Sequence, residues 1–198
     1  MPHTLVLAST SPFRRLLLQN AGLEFEAEDS RLDERALEAT WNDSPSPDAV
    51  ALRLASAKAI AVSARRPDAL VLGCDQTMSL SQQLFHKSRS REEARQTLFH
   101  LRGKTHRLNS AIALAIGGEI VWSSVEHADM SMRDFTETYL EGYLDQVGPS
   151  AYQSVGGYQI EGRGIQLFDR VAGDYFTIIG LPLLPLLAQL RTMGEVDA

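Results

Sequence analysis

From residue 5 to residue 15 the chain runs from an apolar segment into three hydroxyl residues and then into proline and two arginines: Leu5–Ala8, Ser9-Thr10-Ser11, Pro12-Phe13-Arg14-Arg15. This stretch constrains the fold most, because its three parts specify a buried strand, a tight turn and a helix start. A serine oxygen accepts from a first-turn N–H, and proline at the first helical position lacks only a donor that would have had no partner. The free N–H groups of such a turn favour an anion, and two arginines add forked, permanently charged donors. Two readings stand at this point. One is a capped helix with solvent-facing arginines; the other is an anion-binding turn.

The rest of the chain supplies the setting. At 198 residues, with 44% hydrophobic and 22% charged side chains, it suits one soluble domain spanning 1–198. A net charge of −6 argues against general nucleic-acid binding, which needs a basic face, but is compatible with a small anionic ligand held by a local basic cluster. The single cysteine, Cys74, rules out an intramolecular disulfide and fits a reducing compartment. Met1–Thr4 lacks a signal-peptide layout, and no apolar run approaches the roughly 20 residues of a membrane span. A cytoplasmic location is the expectation.

Short apolar runs at Leu5–Ala8 and Ala69–Gly73 read as buried strands, with another short strand around Phe25. Helices are expected from Pro12 to about Ala21, from Pro47 behind the cap Ser46, after the capping box Ser90–Glu93, around Phe135–Tyr143, and from near Pro182 to Met193. Thr40–Pro47 reads as a loop and residues 154–164 as a flexible, glycine-studded segment. Strand-like runs at Arg107–Ile116 and Glu119–Met132 flank Gly117-Gly118, a hairpin signal. Strands mixed with helices predict an α/β fold whose central sheet is mixed and flanked by helices.

Several residues carry chemistry. Asp75 follows directly on a buried strand, where α/β folds place ligand-binding side chains; taken alone, it reads as a turn aspartate. Lys58 lies at the edge of a helix's apolar stripe, either snorkelling to solvent or reaching a site. Ser9, Arg14, Arg15, Lys58 and Lys87 could hold a polyphosphate, while the carboxylates Glu34 and Asp75 could hold a divalent ion or activate water. Cys74 and His106 read as structural.

In order and spacing, Ala8-Ser9-Thr10-Ser11-Pro12-Phe13-Arg14-Arg15, Asp33-Glu34, Leu54-Ala55-x-x-Lys58-Ala59 and Gly73-Cys74-Asp75-Gln76 resemble the Maf family. Gly103-Lys104-Thr105-His106, Gly156–Gly162 and Gly173-Asp174-Tyr175 through Gly180–Leu183 extend the resemblance over nearly the whole chain. It implies a nucleoside triphosphate pyrophosphatase that splits the α–β phosphate bond with water and Mg²⁺ or Mn²⁺. It also implies a deep-clefted fold related to the inosine triphosphate pyrophosphatases, and a homodimer. On this resemblance Asp75 is the proton acceptor and, with Glu34, positions the metal; Ser9, Arg14, Lys58 and Lys87 line the phosphate site. The family's usual Gly-Lys-Pro around that last lysine is His86-Lys87-Ser88 here.

Three positions track the base in this family: Phe13, Gln76 and Glu161. An aromatic, glutamine and glutamate resemble the branch acting on 7-methyl-GTP; arginine, threonine and glutamine mark the branch acting on dTTP and UTP. A cationic 7-methylguanine stacked on Phe13 would gain about 0.5–2 kcal/mol, and Glu161 could accept from guanine N1 and N2. The competing reading of Phe13 is core packing beside Leu17 and Ala21. The alternative functions are a dTTP/UTP pyrophosphatase, a nucleotide-binding regulator of septum formation, and a general phosphatase.

Overall fold

The structure is a computed structural model that describes residues 2–152 and 154–197. Its strands are β1 (Thr4–Leu7), β2 (Glu26–Ala27), β3 (Ala69–Leu80), β4 (Gln83–Phe85), β5 (Thr105–Ile116), β6 (Glu119–Met132) and β7 (Phe168–Ala172). Its helices are α1 (Pro12–Asn20), α2 (Glu34–Glu38), α3 (Pro47–Ser63), α4 (Arg91–Leu101), α5 (Glu137–Val147), α6 (Tyr175–Ile179) and α7 (Leu183–Met193). The strand order is β2-β1-β3-β5-β6-β7, with β4 paired to β3. β1 runs parallel to β2 and β3, while β3–β4 and β6–β7 are antiparallel, so the sheet is mixed as expected.

The chain divides into two compact units, the first formed by residues 1–76, 109–127 and 174–198 and the second by 77–108 and 128–173. In the first unit, strand alternation sorts the core into two chemically different layers. Leu5, Leu7, Leu70, Leu72, Cys74, Ile112 and Leu114 pack against α1 and α7, a layer of large side chains that also takes up Trp122. Val6, Ala8, Val71, Ala111 and Ala113 face the other way, onto Ala51, Ala55 and Ala59 of α3. Strands buried on both faces read as unbroken apolar runs, which is why Leu5–Ala8 and Ala69–Leu72 were legible.

The small-residue layer lets α3 lie close to β3. A Cβ on Gly73 would fall 2.1 Å from the Ala55 carbonyl oxygen and 2.7 Å from the Ala59 nitrogen. Both are backbone atoms, so any side chain at 73 would force helix and strand apart. Gly73 therefore fixes the reach from α3 to the residues that follow on β3.

The helix starts follow capping chemistry. Ser11, Ser46 and Ser90 each accept from the N–H three residues on, and Pro12 and Pro47 stand in the first turns behind the first two. Gly117 and Gly118 take φ of 58° and 86°, the paired positive values of a type I′ hairpin, and join β5 to β6.

Other expectations needed correction. The strand expected around Phe25 is β2 at Glu26–Ala27, and the one expected to end at Gly73 continues to Leu80. Four short elements, α2, β4, β7 and α6, were not anticipated.

In the second unit His106 is buried on β5, its Nε2 2.6 Å from the Tyr158 hydroxyl. Phe168 packs edge-on against Tyr158. Burial pushes the His106 imidazole down to about 4, only partly opposed by the charge of Asp129. Its role is structural, as expected, with a tyrosine rather than a backbone carbonyl as partner. The glycine-studded segment is anchored here, since Tyr158 is buried and its carbonyl accepts from the Ser154 hydroxyl.

Candidate active site

The first unit gathers eight of the ten predicted site residues into three constellations. The first is the β1–α1 turn. Ser9 is buried, and its Oγ accepts from the Ser11 N–H at 3.2 Å and from Arg14 Nη1 at 3.3 Å. Arg14 Nη1 also donates to the Cys74 carbonyl at 2.9 Å, and Nε to the Gly180 carbonyl at 2.9 Å. The arginine thus ties the turn to β3 and to the residue that ends α6. Gly180 holds a left-handed φ of 91° there, and a Cβ on it would lie 3.4 Å from Arg14 Nη2. Arg15 is half-buried, and its Nε is buried without a hydrogen-bond partner among the described residues. Phe13 is 39% exposed while Leu17 and Leu18 carry the helix's burial, so the core-packing reading of Phe13 is set aside.

The second constellation is charged. Lys58 projects from α3 and Asp75 from β3, two residues beyond Gly73 and on the same face. The Lys58 ammonium stands 2.6 Å from Asp75 Oδ1 and 2.7 Å from Glu34 Oε1. Glu34 opens α2, whose N-terminus is capped by Asp33 Oδ1 accepting from the Ala36 N–H at 3.0 Å. Lys58 is not a snorkelling lysine: its side chain is 11% exposed, that of Asp75 10%, and only Glu34, at 45%, opens substantially to solvent. Asp75 is no turn residue either, since it lies inside β3. Next to it the Cys74 thiol is fully buried and pushed up to about 11 by desolvation, partly offset by Arg14 and Lys58, so it is a packing group rather than a nucleophile.

The third constellation lies on the opposite face of β3, where the groups that bond Gln76 are uncharged. Gln76 Nε2 donates to Ser110 Oγ at 2.7 Å and to the carbonyls of Thr177 and Ile178 at 3.0 and 3.1 Å. Carbonyls only accept, so the amide's orientation is fixed by its neighbours: nitrogen inward, oxygen away from them. Ser110 in turn donates to the Thr177 carbonyl at 2.7 Å, and Asp174 accepts from both the N–H and the hydroxyl of Thr177. Ser110, Thr177 and Gly180 were missed by sequence reasoning. Asp174-x-x-Thr177 has the spacing of a helix cap, the one signal that could have marked this corner.

Lys87 and Glu161 belong to the second unit. Lys87 is exposed and forms an isolated antiparallel bridge with Val155; Glu161 is exposed in a turn where the Gly162 N–H meets the Gln159 carbonyl. A cavity of about 250 Å³ in that unit, lined by Tyr139, Tyr143, Gln146 and Arg163 among others, contains none of the predicted residues.

No group of three or more histidine, cysteine, aspartate or glutamate side chains able to hold a metal occurs among the described residues. Glu34 and Asp75 nevertheless fit a hard divalent ion. Both reach a single cation, the Lys58 ammonium, and Mg²⁺ is commonly held by one or two carboxylates together with substrate phosphates and water. No helix among the described residues is long and apolar enough to cross a membrane.

A family model described as Maf-like protein matches residues 4–193. The chain is 54% identical over 198 residues, the whole of both chains, to a protein of Rhizobium johnstonii named 7-methyl-GTP pyrophosphatase. Proteins of the same name from Mesorhizobium japonicum and Brucella abortus are 56% and 54% identical over the same length.

Proposed function

Because this chain belongs to the family of Maf-like proteins, we propose that it is a nucleoside triphosphate pyrophosphatase that takes 7-methyl-GTP as its substrate. The single observation that carries the reading is full-length identity above half to relatives of that name. The Glu34–Lys58–Asp75 constellation supports it with equipment suited to phosphoryl chemistry, in which positioning and charge neutralisation supply most of the rate.

In this reading water attacks and the α–β phosphoanhydride bond breaks, leaving the nucleoside monophosphate and diphosphate. Asp75 accepts the water's proton. Arg15 and the Nη2 end of Arg14 meet phosphate oxygens, with Ser9 and Lys58 beside them. Arg14's remaining donors hold the turn in shape. Glu34 and Asp75 would hold a divalent ion, Mg²⁺ or Mn²⁺, which would neutralise phosphate charge when bound. Lys87 joins the phosphate contacts on the family resemblance alone.

For the base, Phe13 offers an exposed aromatic face and Gln76 a carbonyl acceptor; Glu161 adds a carboxylate on the family resemblance alone. These are the types suited to a cationic guanine ring that carries donors at N1 and N2. The test is competition among 7-methyl-GTP, GTP, UTP and dTTP at equal concentration, with diphosphate release as the readout. We expect 7-methyl-GTP to win and Glu161→Gln to erode its lead. A pyrimidine preference would overturn the substrate assignment, inorganic phosphate as first product would indicate a phosphatase, and no turnover on any triphosphate a regulator. The homodimer implied by the family is checked by light scattering.

A further inference from the structure

We infer that Lys58 is an exchangeable counter-ion which makes metal binding depend on nucleotide: it occupies the Glu34–Asp75 pair until a triphosphate offers it another partner. The inference rests on the proposed role of that pair as metal ligands.

Three features carry it. The ammonium contacts an oxygen of each carboxylate, at 2.7 and 2.6 Å, so it occupies the space between the two and satisfies part of their negative charge. Among the described residues no other acceptor is bonded to it, so no third group among them retains it once the carboxylates are claimed. The three side chains are also unequally accessible. Glu34 is 45% exposed, against 10–11% for Asp75 and Lys58, so the contact to Glu34 is the one solvent reaches and the one that opens first.

The charges then dictate an order. With Lys58 in place the pair's two negative charges are half neutralised, and an incoming divalent ion meets both a reduced attraction and a resident ammonium. A triphosphate brings an excess of negative charge that can draw the ammonium away, freeing carboxylate oxygens just as the metal arrives with the nucleotide. Metal and nucleotide therefore bind with positive coupling, and linkage makes the effect reciprocal.

The test measures Mn²⁺ binding to the whole protein by electron paramagnetic resonance, with and without a non-hydrolysable α,β-methylene analogue of 7-methyl-GTP. We expect wild-type protein to bind Mn²⁺ weakly alone and about tenfold more tightly, or better, with the analogue. In Lys58→Met, affinity without nucleotide should rise by a similar factor, and the gain on adding the analogue should shrink to what the triphosphate's own coordination of Mn²⁺ supplies. Because that variant leaves two carboxylates facing each other, Lys58→Gln, which keeps a neutral donor between them, is measured alongside. Mn²⁺ binding to wild type that the analogue leaves unaffected overturns the inference. Variants that bind Mn²⁺ no more tightly than wild type overturn it too. Glu34→Gln separates the two levels. If it loses Mn²⁺ while the Lys58 variants match wild type, only the coupling fails. If it binds as wild type does, the metal role of the pair fails as well.

Discussion

Asp75 and Gln76 are adjacent in sequence and face opposite sides of β3. On one side Asp75 meets an ammonium shared with the partly exposed Glu34; on the other Gln76 meets two backbone carbonyls and a serine hydroxyl. The first side is charged and open to exchange of its cation, because ion pairs can trade one cation for another. The second is neutral and locked, because backbone carbonyls cannot move without moving α6. The contrast suggests a division of labour within two residues: a face for chemistry, where charge must rearrange, and a face for recognition, where a single acceptor must hold its direction.

The sharpest way to break this contrast is Asp75→Asn. The substitution is nearly isosteric and keeps an oxygen that can accept from Lys58, so the fold should survive while proton acceptance is lost. We expect diphosphate release to fall by about 10²–10⁴-fold, the usual contribution of a positioned general base. Circular dichroism and the urea midpoint should stay near wild type. Full activity in this variant would remove the chemical role from the charged face.

How far each face could be read from sequence follows from the range of its interactions. Caps are local, so Ser11, Ser46 and Ser90 were legible, as were the glycine hairpin and the apolar strand runs. The extension of β3 was not, because Cys74-Asp75-Gln76-Thr77 is polar where a buried strand should be apolar, and tertiary partners override that local signal. Lys58 was ambiguous for the same reason: the partners that decide it stand 17 residues downstream at Asp75 and on a short helix at Glu34 that has no apolar periodicity. The locked face was almost invisible. Two of the three acceptors of Gln76 are backbone carbonyls, which any sequence supplies, so nothing in residue identity announces them. Arg14 shows the same limit from the donor side, since residue type suggested a phosphate ligand and the fold commits two of its nitrogens to carbonyls.

His106 and Tyr158 extend the contrast to the second unit, as a buried polar pair that is neutral and locked. Burial holds the folded imidazole near 4, below its ordinary 6.5, so between those values the unfolded chain binds a proton that the folded chain does not. Stability from this group is therefore complete above pH 6.5 and is lost as pH falls toward 4. Linkage sets the loss between pH 7.5 and pH 5 at about 2 kcal/mol. Urea unfolding of wild type against His106→Gln at the two pH values isolates this part. An identical pH dependence in both proteins would show that His106 charges without penalty and that its pocket is not a neutral one.

Gln76→Glu puts the same question to the neutral face beside the site. The substitution keeps shape and length but replaces the inward-pointing NH₂ with a carboxylate oxygen. That oxygen would face the Thr177 and Ile178 carbonyls, which have nothing to donate. Ser110 could satisfy the new carboxylate only by turning its hydroxyl from the Thr177 carbonyl, to which it now donates at 2.7 Å. Leaving such groups unmatched costs about 1–3 kcal/mol, and half-burial of Gln76 places the expected loss toward the lower end. The urea midpoint should fall accordingly. If Gln76 also reads the base through its oxygen, the preference among triphosphates should shrink, while turnover of the best substrate falls far less than in Asp75→Asn. A variant as stable as wild type would mean that the face accommodates charge after all. Gln76 and Asp75 would then differ in direction along the strand but not in the kind of environment the fold builds around them.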